Sequence, residues 1–229
     1  MTRLSIVMPV LNEAAEIAGA LQQLQPLRAR GHEVIVVDGG SGDGTMQLAA
    51  PLADRVLQAP RGRARQMNAG AEHAHRDVLL FLHADTRLPE DADRLIAERL
   101  AGGTAAWGRF DVVIEGRHPL LKVIAAAMNL RSRATGICTG DQGIFVHGPL
   151  FQSVGGYPDI ELMEDVALSR LLRRHAPPAC LARRVITSGR RWELHGLWRT
   201  MVLMWWLRLR YFCGASPARL RELYEGEER

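Results

Sequence analysis

Three apolar runs in this chain each stop abruptly at a polar cluster. Leu4-Ser5-Ile6-Val7-Met8-Pro9-Val10 gives way to Asn12-Glu13, and Val34-Ile35-Val36-Val37 to Asp38-Gly39-Gly40-Ser41. Val78-Leu79-Leu80-Phe81-Leu82 gives way to His83-Ala84-Asp85. Short apolar runs without alternation read as strands buried on both faces. Between them Ile17, Leu21, Leu24 and Leu27 recur at helical spacing, with Asn12 the expected N-cap, and Gly62 to His75 reads as a second helix. Arg55 to Gln58 reads as a further strand. The alternation predicts an α/β fold, a doubly wound and mostly parallel sheet flanked by helices with right-handed crossovers. Such sheets bind ligands at the carboxyl ends of their strands. The topology therefore gathers the three polar clusters along one edge.

Beyond Leu100 the pattern loosens. Trp107 to Ile114 and Ile144 to Val146 read as strands; Leu120 to Leu130, Glu164 to Arg174 and Trp198 to Phe212 read as helices. Lys122 is the one lysine among 29 basic residues. Positive charge thus sits on planar guanidinium groups suited to phosphates, although GC-rich coding yields the same bias. The arginines are spread without interleaved aromatics, which argues against nucleic-acid binding. Cys138, Cys180 and Cys213 are far apart and odd in number, as expected of reduced thiols in a cytosolic protein. No basic segment or cleavage site precedes the first strand, so no secretory leader is expected. The longest apolar stretch, Met201 to Leu207, is too short to span a bilayer.

Each polar cluster has a chemical and a plainer reading. Asp38 at a strand end is placed to accept hydrogen bonds from a nucleoside, and the glycines after it let backbone approach a ligand; an ordinary turn with an Asp cap looks the same. Thr45 stands where a dinucleotide fingerprint needs glycine, the Gly-Lys pair of a P-loop is missing, and Gly40 and Gly42 occupy positions where an EF-hand needs oxygen ligands. Asp85 suits Mg²⁺ or Mn²⁺ on a diphosphate, with His83 as a second ligand, or else caps the next turn. Arg61, Arg63 and Arg65 open a helix and form either an anion site or a solvated face. Glu164 and Asp165 at a helix start supply either a general base or plain capping. Arg190 and Arg191 suit phosphates, and His195 is either a metal ligand or a surface residue. The Trp- and Leu-rich helix with Arg199, Arg208 and Arg210 serves packing or lies on a membrane surface.

Taken in order, these segments resemble the family 2 glycosyltransferases with the GT-A fold. Ser5 to Glu13 is similar to that family's opening strand and Asn-Glu pair, which implies that Pro9, Val10, Asn12 and Glu13 contact a nucleotide sugar. Asp38-Gly39-Gly40-Ser41 with Asp43-Gly44-Thr45 resembles its second motif, with Asp38 and Gly39 at the nucleoside. Arg65-Gln66-Met67-Asn68-Ala69-Gly70 is similar to its Ala-Arg-Asn-x-Gly segment and brings Arg65 and Asn68 to the donor. His83-Ala84-Asp85 stands where the family usually has Asp-x-Asp. That implies His83 and Ala84 at the donor and Asp85, with His195, at the metal. Gly155-Gly156-Tyr157 and Glu164-Asp165 resemble its acceptor motifs; Asp165 is then the general base, Glu164 its support, and Arg190 and Arg191 face the diphosphate. His-Ala-Asp with Arg-Arg-Trp-Glu resembles a small bacterial subgroup met beside radical-SAM and selenium-related proteins.

The resemblance implies a cytoplasmic, metal-dependent, inverting hexosyltransferase. It would use Mn²⁺ or Mg²⁺ and move a sugar from a UDP- or GDP-sugar to a hydroxyl acceptor. Peripheral contact with the inner membrane face through the C-terminal helix, and a homodimer, are compatible with it. It divides a single domain, 1–229, into a nucleotide-sugar half (1–100), an acceptor half (101–192) and C-terminal amphipathic helices (193–229). Two other classes stay open. A sugar nucleotidylyltransferase carries a glycine-rich loop after the first strand, where this chain has Val10-Leu11-Asn12-Glu13. A non-catalytic nucleotide-sugar-binding protein is suggested by His83, which replaces an expected carboxylate.

Overall fold

A computed structural model of the chain describes residues 2–103 and 105–226. The first half alternates β1 (Leu4–Val10), α1 (Ile17–Ala29), β2 (Glu33–Asp38), α2 (Thr45–Ala49), β3 (Arg55–Gln58), α3 (Arg63–Glu72) and β4 (Val78–Phe81). The second half adds β5 (Thr86–Arg87), α4 (Ala92–Ala101), β6 (Trp107–Glu115), α5 (Leu120–Thr135), β7 (Ile144–His147) and α6 (Gly148–Ser153). It closes with α7 (Glu164–Leu172), β8 (Ala179–Ser188), α8 (Arg190–His195), α9 (Leu197–Phe212) and α10 (Pro217–Gly226). One sheet runs through both halves in the order β3-β2-β1-β4-β7-β6-β8-β5. Residues 1, 104 and 227–229 of the three-part division lie outside the described residues.

The strands β3, β2, β1 and β4 are mutually parallel, as the apolar runs predict. Beyond them the sheet is mixed: β7 enters antiparallel between β4 and β6, β6 and β8 are parallel, and β5 is antiparallel to β8. The strand β8 carries little sequence signal, because Arg183, Arg184 and Ile186 are exposed along it and only Ala179, Val185 and Thr187 are buried.

Alternate residues of each parallel strand feed two cores. Ile6, Met8, Val34, Val36 and Leu80 pack with Ile17, Leu21, Leu24 and Leu27 of α1 on one face. On the other, Val7, Ile35, Val37, Leu79 and Phe81 pack with Ala64 and Met67 of α3 and Leu168 and Leu172 of α7. Double-sided burial is why the strands read as unbroken apolar runs. A third cluster sets Leu207 of α9 and Leu220 of α10 against Ile137, Met163 and Val166. The C-terminal helices thus roof the region where α7 begins.

The carboxyl edge opens where β1 and β4 part. Their last paired residues are Val7 and Phe81. Pro9 lies beyond them, where its lack of an N–H leaves no ladder bond to β4 unmade. The expected capping role of Asn12 does not hold: α1 starts at Ile17, and Asn12 has φ 54°. Its amide reaches across instead, Oδ1 accepting from Gly42 N at 3.0 Å while its own N–H donates to Ser41 Oγ at 2.8 Å. Glu13 N donates to Thr45 Oγ1 at 2.9 Å and Ala14 N to Asp43 Oδ2 at 3.0 Å. Four bonds stitch the loops after β1 and β2 into one wall.

Gly70 lets α3 lie directly on this wall. A Cβ there would come 2.3 Å from Val7 Cγ1 and 3.0 Å from Val37 Cγ2. Both neighbours are β-branched, buried and fixed at χ1. Ala in place of Gly gains roughly 1 kcal/mol in helix propensity, whereas overpacking a rigid core costs about 1–3 kcal/mol. Gly70→Ala is therefore expected to lower the denaturant midpoint; an unchanged or higher midpoint would show that α3 does not depend on this close approach.

Candidate functional site

Two adjoining hollows lie at the carboxyl edge. The first is lined by Pro9, Val10, Leu11 and Glu13 from the end of β1, Arg61 to Arg63 and Gln66 from the start of α3, and His83 to Asp85 after β4. Glu161, Leu162 and Glu164 before and at the start of α7, with Arg221 and Tyr224 of α10, complete it. The second shares Arg63, His83, Asp85, Leu162, Glu164 and Tyr224 with the first. It continues over Thr139 to Asp141, Asp165, Ser188, Arg191 and Trp192, and over Thr200, Met204 and Arg208 of α9.

The side chain of Gln66 is a buried clamp. Its Nε2 donates to Val10 O and Val37 O, both at 2.8 Å, so the ends of β1 and β2 are tied to the first turn of α3. One turn earlier on the same helix face, Arg63 projects toward Glu164, Nη1 to Oε1 4.0 Å. Burial works against the Arg63 charge, but Glu164, Asp141, Asp165 and Asp85 outweigh it and raise its pKa. Arg63 is the electrostatic hub of both hollows.

Glu164 and Asp165 begin α7. Asp165 accepts from Gly140 N at 3.0 Å and Val166 N at 2.7 Å. Glu164 is 5% exposed. Burial and the adjacent Asp165 raise the Glu164 pKa against the pull of Arg63. Burial raises Asp165 too, with Asp141 adding to it, over the opposing hydrogen bonds of Gly140 and Val166. Opposite them His83 Nδ1 lies 3.5 Å from Asp141 Oδ1. Burial disfavours the imidazolium, but the Asp141 partnership prevails and raises the His83 pKa. Burial also works against the Asp141 charge, and the His83 partnership lowers its pKa nonetheless. Gly140 makes room for the pair, since a Cβ there would stand 2.5 Å from His83 Cε1. Among the described residues the two non-glycine residues with positive φ are Asn12 and Met163, each directly before a carboxylate that lines the first hollow. Such backbone costs on the order of 1–3 kcal/mol and is typical of functional positions.

The structure brings Pro9, Val10, Glu13, His83, Ala84, Asp85, Glu164, Asp165 and Arg191 into the two hollows. Other expected residues serve their surroundings. Asp38 is fully buried, and its Oδ2 accepts from Gly40 N and Ser41 N at 2.8 Å each while Oδ1 takes the Ser41 hydroxyl. It organises the loop and does not line a hollow; Gly39 packs against the Gln66 amide. Arg65 points outward to Asp159 at 2.8 Å. Asn68 exchanges two hydrogen bonds with the Tyr157 backbone, at 2.8 and 2.9 Å. Arg190 turns to Glu16 at 3.1 Å and Glu13 at 3.8 Å. His195 ends α8 and lines neither hollow, so it does not join Asp85. Asn12 stitches loops, as described above. Arg63 is legible only as one of three arginines of a candidate anion site, and Gln66, Asp141 and Tyr224 are not legible as site residues. The first two share the inner face of α3 at helical spacing, a periodicity that separates them from Arg65 and Asn68.

Among the described residues no three His, Cys, Asp or Glu side chains form a metal cage. Six carboxylates (Glu13, Asp85, Glu161, Glu164, Asp141, Asp165) and five guanidinium groups (Arg61, Arg63, Arg221, Arg191, Arg208) line the hollows. The raised Glu164 and Asp165 values have a sign that can be checked. A carboxyl whose folded pKa exceeds its unfolded one binds its proton better when folded, so stability falls as pH rises from the ordinary values of 4.5 and 3.8 toward the raised ones. Carboxyl ¹³C shifts should show the pair losing its protons above those ordinary values. Arg63→Gln should move the titration higher still, because it removes the cation that opposes the rise; a downward move would contradict the arrangement.

Comparison with known proteins adds three findings. The family model for glycosyl transferase family 2 matches residues 5–150. The succinoglycan biosynthesis protein ExoA of Rhizobium meliloti is 34% identical over 182 residues, covering 67% of this chain and 52% of that one. The chain thus spans about half the length of this relative. Among solved structures, the mannosyltransferase PcManGT from Pyrobaculum calidifontis in complex with GDP-Man and Mn²⁺ superposes with a TM-score of 0.68 at 21% identity, covering 98% of this chain and 68% of that one. S. aureus TarS in complex with UDP-GlcNAc superposes with a TM-score of 0.66 at 17% identity, covering 82% and 58%. At these identities the superpositions show a shared fold, the mixed α/β GT-A architecture.

Proposed function

The chain belongs to glycosyl transferase family 2, and from that premise we propose that its two hollows hold the donor and acceptor of an inverting sugar transfer. The observation that carries this reading is the meeting of buried Glu164 and half-buried Asp165, both raised in pKa, with Asp85 and Arg63 across one continuous cleft. A buried carboxylate poised above its ordinary value is a general base suited to a hydroxyl proton. The first hollow takes the nucleoside diphosphate sugar, a UDP- or GDP-sugar, with its nucleoside over Pro9, Val10 and Leu11. The second takes the hydroxyl acceptor beside Asp165.

Asp165 accepts the proton of the acceptor hydroxyl, that oxygen attacks the anomeric carbon from the side opposite the diphosphate, and the configuration inverts. Glu164 keeps Arg63 in place beside it, and Arg63 and Arg191 receive the charge that grows on the leaving diphosphate. A divalent cation fits the donor set only in part: Asp85 offers a carboxylate, but the described residues form no cage of their own. With six carboxylates against five guanidinium groups, a diphosphate leaves the cleft with excess negative charge. Bound Mg²⁺ or Mn²⁺ would neutralise it, and Mg²⁺ is commonly held by one or two carboxylates together with substrate phosphates. His83, engaged with Asp141, helps keep that carboxylate paired rather than serving as a ligand. The His-Ala-Asp and Arg-Arg-Trp-Glu pattern further suggests the small bacterial subgroup noted above.

A metal site that needs the nucleotide to complete it has a direct signature. Mn²⁺ followed by its EPR signal should stay free with the protein alone and become bound once UDP or GDP is added; Asp85→Ala should abolish the second effect. Tight Mn²⁺ binding without nucleotide, or retention of binding in Asp85→Ala, would overturn the assignment. Asp165→Asn should keep donor binding, read by thermal shift, while transfer falls by about 10²-fold or more. Unchanged transfer would remove Asp165 from the role of base. Pyrophosphate release from a nucleoside triphosphate and a sugar phosphate would instead favour a nucleotidylyltransferase.

A further inference from the structure

The outward side of α9 is apolar along its whole length. Trp198, Val202, Trp205, Leu209 and Phe212 are all more than half exposed and recur at steps of four and three, a single stripe of the helix. Trp206 lies beside the stripe, and the Arg210 guanidinium sits 5.3 Å over its ring. The helix α5, which also contributes Met128 to the second hollow, leaves Val123 and Leu130 exposed at 60% and 70%. Scattered surface hydrophobics need no explanation, but a continuous row of large ones on one helix does.

We propose that this row docks the protein on the surface of an anionic lipid bilayer, with α9 lying in the plane of the headgroups. Among the described residues no helix is long and apolar enough to cross a membrane, so the row can only lie along it. Charge selects the partner. The segment Leu197–Phe212 contains Arg199 and Arg210, besides Arg208 at the second hollow, and no acidic residue; Leu120–Thr135 likewise has no acid and exposes Lys122, while its Arg131 guanidinium is buried and Arg133 pairs with Asp111. A second copy seated on the row would bring like charges together at its flanks, where paired helices use opposite ones. Lipid phosphates complement them. Tryptophan suits the same place, because an amphipathic ring prefers the level of the headgroups.

The same helix has a second face. Thr200, Met204 and Arg208 line the second hollow, so docking through the outer row holds that hollow within about 10 Å, one helix diameter, of the lipid. Docking stands apart from the transferase reading; only its consequence, an acceptor presented at the membrane surface, rests on it.

Sedimentation with vesicles tests this without donor or acceptor. The chain should pellet with phosphatidylcholine vesicles carrying about 30% phosphatidylglycerol and much less with phosphatidylcholine alone, the difference shrinking as salt is raised. Trp198→Glu with Trp205→Glu, at positions that are 64% and 66% exposed, should reduce binding on the order of tenfold with an unchanged melting temperature. Brominated lipid provides a reading on the unaltered chain: it should quench the exposed tryptophans and leave the fully buried Trp107 emitting. A chain that stays in the supernatant with anionic vesicles, or binding indifferent to the double substitution, would overturn the proposal. So would a dimer in lipid-free ultracentrifugation that the double substitution dissolves, since the row would then belong to a second copy.

Discussion

The side-chain amide of Gln66 donates to carbonyls at the ends of two neighbouring strands, Val10 on β1 and Val37 on β2, from a site almost closed to solvent. Val10 is on the last paired rung of β1 and β2, and its carbonyl also takes the Gly39 N–H at 3.0 Å, so the amide adds a second bond there rather than rescuing an orphan acceptor. Reaching both carbonyls with one side chain fixes the start of α3 against the sheet edge. Gly70, one turn further along the same face, lets the helix axis come close enough for that to happen. The outer face of α3 is tied down as well: Asn68 exchanges two bonds with the Tyr157 backbone and Arg65 pairs with Asp159. The segment that leads into α7 is therefore placed by α3. Arg63 meets Glu164 because both ends of that arrangement are fixed.

This accounts for a division of labour among residues that look alike in the sequence. Three arginines open α3, yet Arg63 lines both hollows and Arg65 faces away. The helical period of 3.6 residues sets Arg63, Gln66 and Gly70 on one face, and Arg65 and Asn68 on another. Matching a short motif along the chain picks Arg65 and Asn68; following the helix picks Arg63 and Gln66. Asp38 shows the same limit from another direction. A carboxylate after a strand is well placed for a nucleoside, but two backbone N–H groups and a hydroxyl within three residues already use its oxygens.

The parallel half of the fold was legible because its strands are buried on both faces, and the meeting of their ends follows from parallel topology alone. The rest was not, for physical reasons. The partner of His83 is Asp141, 58 residues away in a short 3₁₀ turn that has no periodicity to read. The strand β8 is paired with β6 across a register shift and exposes its arginines, so its pattern resembles a loop. Tyr224 reaches the cleft because α9 and α10 fold back over Met163 and Val166, a packing carried by residues no local pattern distinguishes.

Helix capping was the plain reading of Glu164 and Asp165, and magnitudes decide between it and chemistry. An acidic residue in a first turn gains about 0.3–1 kcal/mol from the helix dipole when it stands in water. Here Glu164 is almost wholly buried beside a second carboxylate, and the residue before it is held at φ 69°. The neighbouring Asp165 charge works against ionisation of Glu164. Burial adds to that, while the strained backbone of Met163 costs on the order of 1–3 kcal/mol more. The dipole gain of a cap is no larger than the cost of that backbone alone, and the pKa of both groups is raised against it. A folded chain that keeps two carboxylates in such a place gives them an affinity for a proton above that of the same groups in water.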